Sequence, residues 1–229
     1  MTPEELRAVP GVLECTLDDD VLASLPASAP PAPWDVTCTS IIWYARGGHD
    51  GARAAGAAAQ GARRAAAVAG GMVAYRSTPV GAYNEVFGTI AFRRGRSVHG
   101  TIPFMAVDSR DSLVGGRQNW SLPKCLARFT GSPESGSMNA EGDGWRVRVT
   151  AHPFGPPLPM KMTGRLVQAW PDGQLRSSRL RGKARSRTAI VTVDVQSRGY
   201  LDTWLRTGRH LGAVLLDTQF ELSETAPGL

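Results

Sequence analysis

Alternation is the feature that most constrains this chain. Trp34, Val36, Cys38, Ser40 and Ile42 interleave with Asp35, Thr37, Thr39 and Ile41. Side chains of a strand point to opposite faces in turn, so Trp34–Arg46 reads as one long strand rich in β-branched residues. Further β patterns follow at Met72–Tyr75, Tyr83–Phe92, Ser97–Val107, Trp145–Ala151, Lys161–Trp170, Leu175–Leu180, Thr188–Val195 and Ala213–Leu222. Between them stand turn formers: Ser77-Thr78-Pro79, Arg93-Arg94-Gly95-Arg96, the glycine-rich stretch Gly131 to Gly144, and Pro171-Asp172-Gly173. About nine or ten strands with few short helices predict one mainly antiparallel β domain. It is closed or nearly closed, so that few strand edges stay exposed.

Four segments break the pattern. Residues 1–33 are an irregular lead-in to the single domain 1–229. Glu4 to Ala8 begins a short helix, and Pro26 to Pro33 is a proline-rich arm that wraps the surface or reaches a neighbouring subunit. Gly51 to Val68 holds ten alanines in eighteen residues. It is a helix candidate weakened by Gly56 and Gly61, at about 1 kcal/mol each, with disorder as the competing reading. Ser109 to Gln118 is predicted to hold a short helix, capped by Ser109, Asp111 or Ser112 and ended by Gly115-Gly116. Leu201 to Leu205 suggests a helical turn.

Several function classes fall away. No stretch approaches the ~20 apolar residues of a membrane-spanning helix. The polar, acidic start Met-Thr-Pro-Glu-Glu-Leu-Arg does not read as a signal peptide. Cys15, Cys38 and Cys125 are odd in number and far apart, which suits a reducing cytoplasm. His49, His99, His152 and His210 have no ligand partner at metal spacing, so neither a metal nor any other cofactor is expected. A net charge of +6 raises nucleic acid as a partner. The arginines, however, are mostly scattered, and the clusters at 93–96 and 176–187 lack interleaved aromatics. Gly115-Gly116 lacks the rest of a phosphate loop.

Lysine usage is the chemical signal. Of 26 basic residues only Lys124, Lys161 and Lys183 are lysines. A guanidinium stays protonated, whereas a lysine that loses its proton is an amine nucleophile able to form a Schiff base with a ketone. Lys124 lies between Leu122-Pro123 and Cys125-Leu126-Ala127. Apolar surroundings disfavour the ammonium and lower the pKa. The ordinary alternative is a lysine whose stem lies on apolar surface with its head in water. Pro123 restrains the backbone before Lys124 and helps aim it. Tyr83, Glu85 and Phe87 share one strand face, which is either a wet face with a solvated carboxylate or a buried one with a functional carboxylate. A Cys125 nucleophile is the weaker candidate, because its neighbour in a strand points the other way.

Three blocks carry a resemblance. Gly116-Arg117, five residues, then Pro123-Lys124 resembles the Schiff-base segment of the acetoacetate decarboxylase family. Pro79-Val-Gly-Ala-Tyr-Asn-Glu85 is similar to that family's strand with a glycine, a tyrosine and a site glutamate. Pro103-Phe-Met-Ala-Val-Asp108 resembles the apolar strand that leads into the lysine segment. The resemblance implies a β-barrel or cone around the site, with Lys124 and Glu85 catalytic. It implies Arg117, Tyr83, Trp120, Phe104 and Met105 as substrate-binding residues, Arg117 holding a carboxylate or a site acid. An ion pair of purely structural role is the other reading of Arg117. It also implies a small keto acid as partner and a homo-oligomer.

This sequence departs from the family in three places. The family enzyme follows its lysine with a second one, and a neighbouring cation or desolvation is what activates such an amine. Here Cys125 stands in that place, so desolvation alone would have to depress the pKa of Lys124. The family's second glutamate, fifteen residues before the first, corresponds to Gly70, and its N-terminal arginine has no counterpart between Trp34 and Tyr44. The expected function is therefore a Schiff-base lyase decarboxylating a small β-keto acid. The alternatives are a Schiff-base aldolase, dehydratase or cyclase on a larger 2-oxo acid, and a non-catalytic pocket protein.

Overall fold

The computed structural model describes residues 1–60, 65–94 and 97–227. The lead-in carries α1 (Pro3–Arg7) and α2 (Asp19–Ala23), capped by the side chains of Thr2 and Asp18. Strand β1 (Trp34–Arg46) and α3 (His49–Ala54) precede the meander β2 (Ala67–Ser77), β3 (Tyr83–Arg94) and β4 (Ser97–Val107). Helix α4 (Arg110–Trp120) leads into the short β5 (Lys124–Leu126). Then come β6 (Arg128–Ser132), β7 (Ser137–Gly142), β8 (Trp145–Pro153), β9 (Leu158–Ala169) and β10 (Leu175–Ser197). The helical turn α5 (Leu201–Trp204), β11 (Gly208–Leu222) and β12 (Ala226–Pro227) end the chain.

The strands close on themselves. Antiparallel pairing runs β11-β1-β2-β3-β4, and one parallel bridge, Gly100 to Leu166, joins β4 to β9. β9 pairs with β10, and β10 with β11, which completes the ring. The far half of β10 pairs with β8 and carries β7 and β6 beside it. The main core packs Trp43, Met72, Ile90, Val147, Val191 and Trp204 together. A second buried cluster, including Trp34, Val36, Met105, Trp120 and Leu122, sits apart from it.

The mainly β fold with few short helices is as expected, and the ends of β1 and β4 match the sequence pattern residue for residue. Other expectations need correction. Leu175–Leu180 and Thr188–Val195 belong to one strand of 23 residues. The basic run between them hid this, because its arginines face solvent and show no apolar alternation. The alanine-rich stretch is no long helix. α3 ends by Gly56, whose φ of +54° stops the turn, and a 3-10 turn covers Gly56–Ala59. Residues Gly61 to Arg64, and Gly95-Arg96 of the expected hairpin turn, lie outside the described residues. Gly115-Gly116 does not end α4 but lies inside it. The helix stops at Ser121, in left-handed conformation with φ 52°. The proline-rich arm lies across α4, where Trp34 Nε1 and Asn119 Nδ2 both donate to Pro30 O.

Candidate active site

Three neighbouring elements bring the site together. In β3 the period-two alternation sets Tyr83, Glu85 and Phe87 on the inner face of the ring. β2 lies beside it with Tyr75 opposite Tyr83. β5 runs parallel to β4 with Lys124 opposite Met105. Helix α4 supplies the fourth side: Ser112, Gly116 and Trp120 are spaced by four residues and so form one stripe. Gly116 is there for room. A Cβ at that position would lie 2.5 Å from Lys124 Cδ. Gly115 makes similar room for Trp34, whose ring a Cβ would meet at 2.5 Å.

Lys124 Nζ sits 2.8 Å from Glu85 Oε2 and 2.9 Å from Ser112 Oγ, with the Tyr83 hydroxyl at 3.4 Å. Tyr75 donates to the other carboxylate oxygen of Glu85 at 3.1 Å and stacks on Tyr83 with centroids 4.5 Å apart. Lys124 is 3% exposed and Glu85 2%. Three acceptors around one nitrogen are what an ammonium requires, since it has three donors and no acceptor.

The electrostatics correct the expectation for Lys124. Burial pulls its pKa down, but the Glu85 carboxylate, the Tyr83 hydroxyl and hydrogen bonds to both raise it, and the net shift is upward. Desolvation therefore does not act alone here, and the resting lysine is an ammonium. Burial also pushes Tyr83 up to about 12, against the pull of Lys124, and pushes Tyr75 well above its ordinary value. Both phenols are neutral donors at physiological pH.

The pair faces a cavity of about 190 Å³ with mostly apolar walls, among them Trp34, Phe87, Met105, Trp120, Leu180 and Phe220. Among the described residues that line it, Lys124 is the one cation. Tyr83, Trp120 and Met105, expected around the substrate, are all on its wall. Two expected residues are not. Phe104 points to the other face of β4, fully buried and edge-on to Trp145 at 5.0 Å, because adjacent strand residues alternate. The Arg117 guanidinium is 1% exposed and spent on main-chain carbonyls: Nε donates to Lys124 O, Nη1 to Leu6 O and Nη2 to Cys15 O. It holds the lysine's backbone rather than a substrate, and burial lowers its pKa to about 10.

Cys125 likewise faces away from the cavity, with Sγ on Glu14 O and Met105 O. Hydrogen bonding with Cys15 and burial raise its pKa well above the thiol range, so it is no nucleophile. At Gly70 a Cβ would lie 2.1 Å from the Trp43 ring, which leaves no place for a second glutamate.

The sequence reading missed Ser112 and Tyr75 as site residues. The sequence offers Ser112 as a capping candidate, but Ser109 is the N-cap. Its spacing of four and eight residues from Gly116 and Trp120 was the available signal. Tyr75 had none, since only strand register places it opposite Tyr83.

The fold has counterparts among known proteins. The model of the acetoacetate decarboxylase family matches residues 60–155. No curated protein sequence matches the chain. Among solved structures, the acetoacetate decarboxylase of Legionella pneumophila superposes with a TM-score of 0.67 at 14% identity, over 90% of this chain and 93% of that one. An acetoacetate decarboxylase-like enzyme from Sphingomonas wittichii RW1 gives 0.61 at 16% identity, over 86% and 92%. The enduracididine biosynthesis enzyme MppR, complexed with pyruvate, gives 0.56 at 13% identity, over 86% and 91%.

Proposed function

We propose that this chain, whose residues 60–155 match the acetoacetate decarboxylase family and whose fold resembles that of such enzymes, is a Schiff-base enzyme in which Lys124 condenses with a ketone and a β-keto acid loses CO₂. The observation that carries this reading is the buried Lys124–Glu85 pair facing an apolar cavity.

The resting ammonium must first give up a proton. Glu85 Oε2, at 2.8 Å, is the acceptor. In a desolvated site an ion pair and its neutral, proton-transferred form lie close in energy. The free amine attacks the carbonyl carbon, and the carbonyl oxygen takes a proton from Glu85 or the Tyr83 hydroxyl. Loss of water then gives the protonated iminium. The bond from the α-carbon to the carboxylate breaks, its electron pair moves into the iminium, and CO₂ leaves behind an enamine. Protonation at the α-carbon, with Glu85 as proton source, gives the product iminium. Water hydrolyses it and regenerates Lys124.

Among the described residues the cavity holds one cation, Lys124, which favours decarboxylation over chemistry on 2-oxo acids. A departing carboxylate loses its charge as CO₂, and a low-dielectric site without a second cation favours that loss. A 2-oxo acid such as the pyruvate bound by MppR keeps its carboxylate, which here would lie near Glu85 with only Lys124 to balance it.

Borohydride trapping tests the reading. Incubation with acetoacetate, other β-keto acids and 2-oxo acids, followed by reduction, is expected to add ketone mass to the peptide containing Lys124, and to add none in Lys124→Ala. CO₂ release by the wild type separates decarboxylation from aldol or dehydration chemistry. Folded protein that traps no ketone would leave the non-catalytic pocket reading standing.

A further inference from the structure

One wall of the Lys124 cavity carries polar groups that the decarboxylation steps do not use. The inner faces of β11, β1, β2 and β3 meet in a row of directly paired residues. Thr218 stands opposite Cys38, Cys38 opposite Tyr75, and Tyr75 opposite Tyr83. The row starts beside the amine, at the two tyrosines, and ends on Thr218. Cys38, Thr218 and, two residues along β1, Ser40 all line the cavity. Burial, joined by the nearby Glu85 carboxylate, pushes the Cys38 thiol up to about 12. Cys38 is therefore a neutral thiol, weak both as donor and as acceptor.

Thr218 is 1% exposed, and its Oγ1 makes no hydrogen bond of ordinary geometry among the described residues; the Cys38 thiol beside it is only a weak acceptor. A buried hydroxyl left unpaired costs stability. The backbone departs from regularity to place it there. β11 carries one residue more than both of its neighbours: Cys38 to Ser40 on β1 faces Thr218 to Leu215, and Lys183 to Arg185 on β10 faces Gln219 to Leu216. The bulge contains Asp217 at φ 49°, a left-handed conformation uncommon for residues other than glycine. Strict alternation from Leu215, which lines the cavity, would turn Asp217 and Gln219 inward. The bulge turns Thr218, Phe220 and Leu222 inward instead, as bulges beside active sites do. Packing accounts for Phe220 and Leu222 on that face. It calls for an apolar residue at 218, not for an unpaired hydroxyl.

We infer that Thr218, with Ser40 beside it, seats the carboxylate of the substrate whose ketone meets Lys124. At about 30 Å³ for each water-sized group, 190 Å³ holds roughly six of them, so a small keto acid fills the cavity and the atoms beyond its ketone lie against the walls. Few donors are free to meet a carboxylate there. The indole N–H groups of Trp34 and Trp120 are spent on Pro30 O and Ser223 O. Thr89 stands at a partly exposed position farther along β3. Outside the cluster around Lys124, the buried hydroxyls on the wall are those of Ser40 and Thr218. Hydroxyl donors orient a carboxylate without pairing it to a cation, so little attraction is lost when it leaves as CO₂. This assignment rests on the Schiff-base reading for the ketone end only. The carboxylate end is tested apart from it.

The probe for that end is isovalerate, which has the skeleton of acetoacetate with a methyl-bearing carbon in place of the ketone and so forms no Schiff base. Calorimetry is expected to show it binding the wild type, and binding Thr218→Val about tenfold more weakly, the loss of one hydrogen bond to a charged group. Thr218→Ser keeps the hydroxyl and should recover most of the affinity. Thermal melting is the second readout. Valine has the shape of threonine and removes only an unpaired hydroxyl, so Thr218→Val should melt at or above the wild-type temperature. The loss should also follow the carboxylate: at subsaturating ligand, borohydride trapping on Lys124 should fall about tenfold for acetoacetate in Thr218→Val, and less than about twofold for acetone. No isovalerate binding to the wild type, equal affinity in Thr218→Val, or equal losses for acetone and acetoacetate would overturn the assignment. A clear fall in melting temperature would do the same, by giving the hydroxyl to structure. A wild type that binds isovalerate but traps no ketone would remove the Schiff-base reading and leave the carboxylate seat standing.

Discussion

At the scale of single residues, Glu85 sets the state of the amine. Burial alone would lower the pKa of Lys124, and the carboxylate at 2.8 Å reverses that. Glu85→Gln is therefore expected to lower the lysine pKa, because it removes the largest raising influence and leaves desolvation. Carbamylation by cyanate at neutral pH should then speed up by about tenfold for each unit of the fall, while turnover drops for want of a proton acceptor. Unchanged carbamylation would show that Glu85 does not hold the ammonium. The lysine, the glutamate and their neighbours Tyr83, Trp120 and Met105 were legible in the sequence, through a scarce residue type and the blocks around it. Arg117 was misread because a cation seven residues from a nucleophile says nothing of direction. Its side chain turns toward three carbonyls drawn from distant parts of the chain. The sign of the lysine shift was equally out of reach, since it depends on a contact between two strands that no local window contains.

At the scale of elements, α4 is shaped to admit a side chain. A glycine inside a helix costs about 1 kcal/mol relative to alanine, and α4 has two in succession. Gly116→Ala is expected to cost little stability and to cost reactivity. Its Cβ would press on Lys124 Cδ at 2.5 Å and shift Nζ from its three acceptors. Trapping should slow by about a hundredfold, the usual scale for a displaced reacting atom. Gly115→Ala is the contrasting case. Its Cβ meets the ring of Trp34, so it should lower the unfolding free energy by about 1–3 kcal/mol as overpacking does. Thermal melts and trapping rates on the two variants separate these outcomes, and equal trapping by Gly116→Ala and wild type would refute the fit. Strands were readable where apolar residues alternate or run on, as in β1 and in β4, whose second half is buried on both faces. β10 was not, because its near half presents arginines to solvent and small or partly covered residues inward. The two glycines of α4 carried a helix-ending signal in sequence, while packing against Lys124 and Trp34 kept the helix going.

At the scale of the whole molecule, the site ties stability to pH on the alkaline side. Tyr83 ionises only near 12 when folded, against 10 when unfolded, so the folded state keeps the proton longer and stability declines across that interval. Lys124, raised above 10.5, adds stability that is complete below that value and is lost as pH climbs through its folded pKa. Both effects have the same sign. Denaturant midpoints are expected to hold steady around neutrality and fall from about pH 10 upward. The lysine part of that fall should be absent in Glu85→Gln, and a flat alkaline limb would contradict the pairing. Arg117 has a consequence of another kind, for the order in which the chain is made. Its guanidinium joins Lys124 O to Leu6 O and Cys15 O, across 111 and 102 residues of sequence. During synthesis Leu6 and Cys15 emerge long before their partner exists. Leu6 and Cys15 must wait for the middle of the chain, and the amine gains its fixed position only when the two have met.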